Sequence, residues 1–451
     1  MAGIEETAPT PIRATHRVGP VLLLAVSVIV VSVFAEPTAL YAGLSMLLLV
    51  VAMRGYALLA TLAASRTRTV YSIRGRVDGT PIEVVISVAN PSFIPIVFAE
   101  LSLEYSPYLR LVKGARAGVA LIPPRGVLEY RAVFTGRVGR HRVGPLKAVV
   151  RDPLGLFRSD EIVIARAIEI RVVPRAEEVT VRKLWVETRS TGITRAREAG
   201  TGVEFYGIRE YRPGDEIRRI VWRHLALAGR LTVKEMERES YQSILFIVDA
   251  TPQMFMGPYG ATPFEHAARV VTSIAGYLAR RGDLMALVTF RNSGDVYPSG
   301  PLSRGRAAYL RIVKVFAETP FSLEGDTIPT EVVMRRVLRT ALELLPRERN
   351  LVFVFTSIRS RVYLDTLANF VNRLRALGNE VYVAVPITMA YEVKGLPGWA
   401  QAIYRVRMFE QMREELKHAK ELRRYGVRVL ALGPQLLPET IVRIIETSRV
   451  R

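Results

Sequence analysis

The sequence predicts a multidomain membrane protein in three structural parts: an N-terminal transmembrane helical hairpin, a β-sandwich-like module and a C-terminal doubly wound α/β domain. Three observations predict it. Two long apolar runs lie within the first 64 residues, period-two alternation fills residues 68–175, and from Ser243 onward continuous Val, Leu and Ile runs alternate with amphipathic stretches. A chain of 451 residues also has ample length for separate cores.

Residues 1–67 form the N-terminal tail and the two predicted spans. Residues 18–35 read VGPVLLLAVSVIVVSVFA without a charge, long enough for a helix to cross a hydrocarbon core of about 30 Å. After Glu36-Pro37, residues 39–64 are again nearly all apolar, with Arg54 the one interruption. A signal peptide is the rival reading, but the second run follows at once and no clean small-residue cleavage site precedes it. Arg13 and Arg17 precede the first run, Arg66, Arg68, Arg74 and Arg76 follow the second, and the turn carries only Glu36. The positive-inside rule then predicts a multi-pass protein of the cell membrane with both termini and the soluble domains in the cytoplasm. Arg54 either snorkels to an interface or marks the end of a shorter span.

Residues 68–175 show apolar–polar alternation in IEVVISVAN from Ile82, VFAELSLEY from Val97, VLEYRAVFT from Val127 and EIVIARAIEIRVV from Glu161. Gly and Pro clusters such as Ile122-Pro123-Pro124-Arg125-Gly126 punctuate them, which reads as short antiparallel strands in a small sandwich or open barrel. From 243 to 451 the rhythm is βαβ. SILFIVD precedes a helix over 263–281, LMALVTF follows from Leu284, and a helix over 331–345 leads to NLVFVFT from Asn350. A helix over 363–377, EVYVAVP from Glu380, a charged helix over 408–425, VRVLALG from Val427 and a last helix from Pro438 complete it. Uniformly apolar strands are those covered on both faces, hence a mainly parallel sheet.

Composition excludes several kinds of chemistry. Cysteine is absent, so there is no disulfide, thiolate ligand or thiol nucleophile. The five histidines, His16, His141, His224, His266 and His418, are scattered, and no His-Glu-x-x-His, phosphate-cradling Gly-rich loop or Gly-x-Ser-x-Gly elbow occurs. The residues therefore predict no enzyme. The 63 Lys and Arg against 42 Asp and Glu give a formal charge of +21, which points to anionic lipid, nucleic acid or acidic protein surfaces.

Between the two soluble domains, residues 176–242 carry the most distinctive stretch, GVEFYGIREYRPGDEIRRIVWRHLALAGRLTVKEMERE from Gly202. Tyr211-Arg212-Pro213-Gly214-Asp215 is a turn signal, and Arg218, Arg219, Trp222 and Arg223 follow at helical spacing. The bland reading of the run is a solvated basic helix behind a turn. This pattern resembles the domain-of-unknown-function fifty-eight family of membrane proteins, together with Arg137-Val138-Gly139-Arg140, Gly144-Pro145 and Asp152-Pro153-Leu154-Gly155-Leu156-Phe157 upstream. The resemblance implies a von Willebrand factor A-like domain after the motif. It also implies partnership with a MoxR-type AAA+ ATPase in assembling or maturing an unknown client protein. The signature positions it carries over are Gly207, Arg209, Tyr211, Arg212, Pro213, Gly214, Asp215, Arg219, Trp222, Lys234 and Glu235, with no established chemical role. Leu227 departs from the pattern and removes one basic contact.

The A-type domain implied by the resemblance carries a metal-ion-dependent adhesion site, Asp-x-Ser-x-Ser completed by a distant Thr and Asp, at the carboxyl end of its first strand. Here the strand ends Asp249-Ala250-Thr251-Pro252-Gln253, so Asp249 and Thr251 match and Gln253 replaces the second serine. Thr327 matches the distant threonine, while FVFTSI offers Thr356 and Ser357 in place of the second carboxylate. The site is thus degenerate, with Mg²⁺ as the cation it would take. The alternative is that Asp249 caps the next loop and the hydroxyls satisfy backbone groups. The expectation is a non-catalytic membrane-anchored scaffold or adaptor. The alternative is an electrostatic binder of anionic lipid or nucleic acid, with nucleic acid the less favoured.

Overall fold

The computed structural model describes residues 12–34, 37–176, 199–237, 242–257, 260, 262–321, 328–346, 349–358, 360–386, 398–433 and 436–449. The chain forms two compact units, Met1–Val172 and Val173–Arg451.

The first unit opens with β1 (Ile12–Ala14) and two apolar helices, α1 (Val18–Phe34) and α2 (Thr38–Ser65). Val18, Ala25 and Ser32 are the buried positions of α1, and Gly43, Val50 and Ala57 lie among those of α2. Both sets repeat every seven residues, the spacing of a helix–helix seam, and small side chains let the backbones approach closely. A Cβ on Gly43 would fall 2.4 Å from Ile29 Cγ1 and 3.1 Å from the Ala25 carbonyl oxygen. Away from the seam Leu23, Val33, Leu48 and Val51 are exposed. Among the described residues one helix, Thr38–Ser65, is long and apolar enough to cross a membrane; Val18–Phe34 is apolar but has 17 residues.

Two antiparallel sheets follow. β2 (Arg68–Arg74), β3 (Ile82–Ala89), β4 (Ile96–Tyr105), β5 (Leu109–Lys113), β6 (Ala117–Ile122), β7 (Val127–Gly136), β8 (Gly139–Arg151), β9 (Phe157–Ser159), β10 (Ile162–Ala165) and β11 (Ile168–Val172) run in chain order. One sheet is ordered β2-β3-β7-β5; the other is β1-β9-β8-β4-β6, with β10 and β11 also paired to β8. Alternation puts Ile82, Val84, Ile86 and Val88 of β3 into a common core with Leu101, Leu103, Val143, Leu146, Ala148 and Val150 of the facing sheet. Ala60, Ala63 and Ala64 at the end of α2 join the same core, and Tyr56 donates to the Pro95 carbonyl at 2.7 Å. The run from Glu161, which reads as one strand, is divided between β10 and β11. Ala165 pairs with Leu146 and Ile168 with Val143, so the break at Arg166-Ala167 faces Gly144-Pro145. Gly144 has φ +98°, and a Cβ there would meet Ala167 Cα at 2.8 Å.

The second unit begins with a two-stranded ribbon, β12 (Ala199–Glu210) and β13 (Thr232–Glu237), whose connection holds a 3₁₀ turn at Ile217–Arg219 and helix α3 (Trp222–Ala228). Then come β14 (Ser243–Asp249), α4 (Pro263–Arg281), β15 (Leu284–Phe290), β16 (Val296–Pro298), α5 (Gly305–Glu318), α6 (Thr330–Leu344) and β17 (Leu351–Phe355). α7 (Arg361–Ala376), β18 (Glu380–Pro386), α8 (Gly398–Arg424), β19 (Arg428–Leu432) and α9 (Leu436–Arg449) end the fold.

These strands make one sheet in the order β16-β15-β14-β17-β18-β19, parallel except for the edge pair β15–β16. All seven residues of β14 are buried, as expected for a central strand covered on both faces. Leu245, Ile247, Val352 and Val354 pack with α6, α7 and α8. Phe246 and Phe353, one residue along each strand, point to the opposite face and stack with ring centroids 6.0 Å apart. α4 carries a capping box in which Thr262 and Glu265 satisfy each other's backbone N–H, and Gly282 at φ +80° ends it. Its Tyr277 donates to Glu446 of α9 at 2.7 Å, and Arg281 pairs with the same carboxylate.

Candidate functional site

In an open parallel sheet, ligands bind outside the carboxyl ends of the strands. There the α/β unit places Asp249, the last residue of β14, fully buried. Its Oδ1 accepts from the Thr251 N–H at 2.8 Å, and its Oδ2 accepts from the Thr356 hydroxyl at 2.7 Å and the Tyr363 hydroxyl at 3.1 Å. The two hydroxyls also meet each other at 2.5 Å. Thr356 follows β17 and Tyr363 lies in the first turn of α7, which Ser360 caps by accepting from the Tyr363 N–H at 3.2 Å. One carboxylate thus ties together the loop after β14, the end of β17 and the start of α7.

The other expected ligands lie as follows. Thr251 is buried and its hydroxyl makes no hydrogen bond among the described residues. Gln253 is exposed, Ser357 is half-buried, and Thr327 lies outside the described residues. Among the described residues no three His, Cys, Asp or Glu side chains gather as a metal-holding group. Mg²⁺ demands near-octahedral oxygen ligation and usually draws on carboxylates. Asp249 instead turns both oxygens toward protein donors, and Gln253 points away into solvent, so the described residues as placed do not fit that cation. Asp249 caps the next loop through the Thr251 N–H, while the Thr356 hydroxyl goes to the carboxylate and the Thr251 hydroxyl to no described group. Sequence reasoning placed Thr356 in this loop but missed Tyr363, which sits on the apolar face of an amphipathic helix, where an aromatic reads as core.

The signature segment forms the ribbon and its connection. Gly207 pairs with Glu235, Ile208 with Lys234 and Arg209 with Val233. Arg209 grips Asp215 with both guanidinium nitrogens, Nη1 at 2.7 Å and Nη2 at 2.6 Å, and Asp215 also accepts from the Arg212 N–H at 2.8 Å. The Arg209 guanidinium, then the Arg212 N–H, hold the Asp215 carboxyl down at a pKa of about 2. Gly214, at φ +104°, supplies the left-handed step that closes the turn after Pro213. Tyr211 N–H donates to the Leu231 carbonyl at 2.9 Å, and Arg219 pairs with Glu216 at 2.9 Å. Lys234 is exposed and Trp222 is 58% exposed.

The basic run is not one helix. Ile220 leaves the helical path to bridge Val233 and bury its side chain, which separates the 3₁₀ turn holding Arg218 and Arg219 from α3 with Trp222 and Arg223. The upstream motif residues serve the first unit. Asp152 accepts from Leu156 N–H at 2.8 Å and Phe157 N–H at 3.2 Å, which shapes the turn into β9.

Residues 207–397 match the family described as "Protein of unknown function DUF58". No functionally curated protein matches the chain. Among solved structures, the SpRpn10 VWA domain is 15% identical with a TM-score of 0.29, covering 45% of this chain and 95% of its own. An aerotolerance-related membrane protein from Bacteroides fragilis NCTC 9343, carrying multiple mutations to serine, is 11% identical with a TM-score of 0.30, covering 46% and 99%. The family match runs from the second half of β12 past the Asp249 network and β18.

Proposed function

We propose that the chain is a non-catalytic membrane-anchored adaptor. In this reading α1 and α2 cross the membrane as a hairpin, both termini and both soluble parts are cytoplasmic, and the von Willebrand factor A-like unit docks a MoxR-type AAA+ ATPase or a client protein during assembly or maturation. The observation that supports it most is the closed network at the carboxyl edge of the sheet. Asp249, Thr356 and Tyr363 satisfy one another inside the protein, so this edge offers a shaped surface rather than a set of groups poised over a substrate.

The chain has no cysteine, so single cysteines can be labelled without background. With a membrane-impermeant maleimide on intact cells, Pro37→Cys in the α1–α2 turn should react from outside and Arg110→Cys in β5 should not. Purified full-length protein in detergent should retain a MoxR-type ATPase from the same cell in at least one nucleotide state. Labelling of Arg110→Cys from outside, or no retention in any nucleotide state, would sink the proposal.

A further inference from the structure

The connection between β12 and β13 carries a charge imbalance. Residues 211–231 hold Arg212, Arg218, Arg219, Arg223 and Arg230 against Asp215 and Glu216. Both acids are already engaged, Asp215 by Arg209 and Glu216 by Arg219. Arg212, Arg218, Arg223 and Arg230 are exposed, and among the described residues none of their guanidinium groups forms a salt bridge. On the same connection Ile217 is 69% exposed and Trp222 58%. A tryptophan and an isoleucine in water beside four exposed cations are the composition of an interface core with its rim.

The backbone that presents them is fixed. The Arg209–Asp215 grip closes one end, Tyr211 N–H to the Leu231 carbonyl at 2.9 Å and Val221 N–H to the Thr232 carbonyl at 2.9 Å tie the two sides, and Ile220 is pinned to Val233. Such preorganisation lowers the entropy lost on binding.

We propose that this connection is a docking surface for an acidic face of a protein partner. Trp222 is its apolar anchor, and Arg212, Arg218, Arg223 and Arg230 pair with carboxylates. The proposal deepens the adaptor reading, on which it rests for the existence of a protein partner, by naming the surface and the partner's chemistry. Arginine is this chain's usual cation, so the choice of Arg decides little; the fixed geometry decides. A polybasic patch for anionic lipid acts through summed charge and needs no rigid scaffold. Here Glu216 stands among the cations, which suits residue-by-residue pairing with carboxylates better than a continuous phosphate surface.

The test places the photoprobe benzoyl-phenylalanine in the full chain in its native membrane, singly at Trp222, at Val406 on α8 and at Val163 on β10. Irradiation should give a protein adduct at position 222 whose cross-linked peptide is rich in Asp and Glu. Its yield should fall about tenfold for each of Arg218→Glu and Arg223→Glu, with thermal unfolding unchanged. Protein adducts at 406 or 163 but not at 222 would overturn this surface and leave the adaptor reading standing, and adducts at none would remove both. A lipid adduct at 222, a non-acidic peptide or a yield indifferent to charge reversal would each overturn the proposal.

Discussion

Truncating Asp249 to alanine removes an acceptor shared by three donors in a fully buried setting. The Thr251 N–H loses its partner, and the Thr356 and Tyr363 hydroxyls lose their shared carboxylate but can still bond each other. An orphaned buried donor costs about 1–3 kcal/mol. Because the two hydroxyls retain their mutual bond, the expected loss is about 3–5 kcal/mol, the range for removing one member of a buried charged network. Tyr363→Phe and Thr356→Val should each cost about 1 kcal/mol. Their double variant should differ from the sum, because both hydroxyls serve the same carboxylate oxygen. Urea unfolding of the full chain in detergent can be followed by intrinsic fluorescence, since Trp222 and Trp399 lie in the second unit. An Asp249→Ala variant within about 0.5 kcal/mol of the parent would refute the reasoning. So would Mg²⁺ stabilising the parent but not the variant, since that would make the carboxylate a cation ligand.

In the first unit, burial pushes the His141 imidazole down to a pKa of about 4, although its Nε2 lies 2.6 Å from the Arg137 carbonyl. The unfolded chain then binds the extra proton first, so about 3 kcal/mol of stability present above pH 6.5 is lost as pH falls through 4. His141→Leu should flatten that dependence in circular-dichroism melts, and an unchanged acid limb would show that other groups set it. Gly43→Leu forces a side chain into the α1–α2 seam where even a Cβ has no room; about 1–3 kcal/mol of overpacking should appear as a weakened helix pair in disulfide trapping between cysteines placed across it. Glu446→Ala leaves Arg281 and Tyr277 without their shared carboxylate, and the unfolding free energy from fluorescence-detected urea titration should drop by about 3–5 kcal/mol. A loss below 1 kcal/mol would mean that solvent replaces that carboxylate.

Periodicity made most of the framework legible. The helix read over 263–281 is α4 as found, because Thr262, Pro263 and Gly282 punctuate it. Strands beginning at Ile82 and Val127 appear where the alternation puts them. What failed has local causes. α8 starts ten residues before the expected 408, with Trp399, Val406 and Phe409 exposed along it. α5 was overlooked although Ala308, Ile312, Val315 and Phe316 carry a helical period, because Arg and Lys residues break up the apolar run. The ribbon escaped because Gly200, Gly202 and Gly207 interrupt β12, and its pairing depends on partners about thirty residues away. At the sheet edge Asp249 was legible as a strand-end carboxylate. Its true donors were not, since Tyr363 lies 114 positions along the chain.

That separation also sets an order of events during synthesis. β14 occupies the middle of the sheet, yet β17, its neighbour on one side, emerges about a hundred residues later, with Thr356 107 positions beyond Asp249. At about 5–20 residues per second the nascent strand SILFIVD waits roughly 5–20 s, with an unpaired edge and a carboxylate that has no donors beyond its own loop. A stretch that is buried at every residue in the mature fold is therefore open to misassociation on the ribosome. Chaperone demand in the cell should concentrate on β14 rather than on the surface that the finished protein shows to its partners.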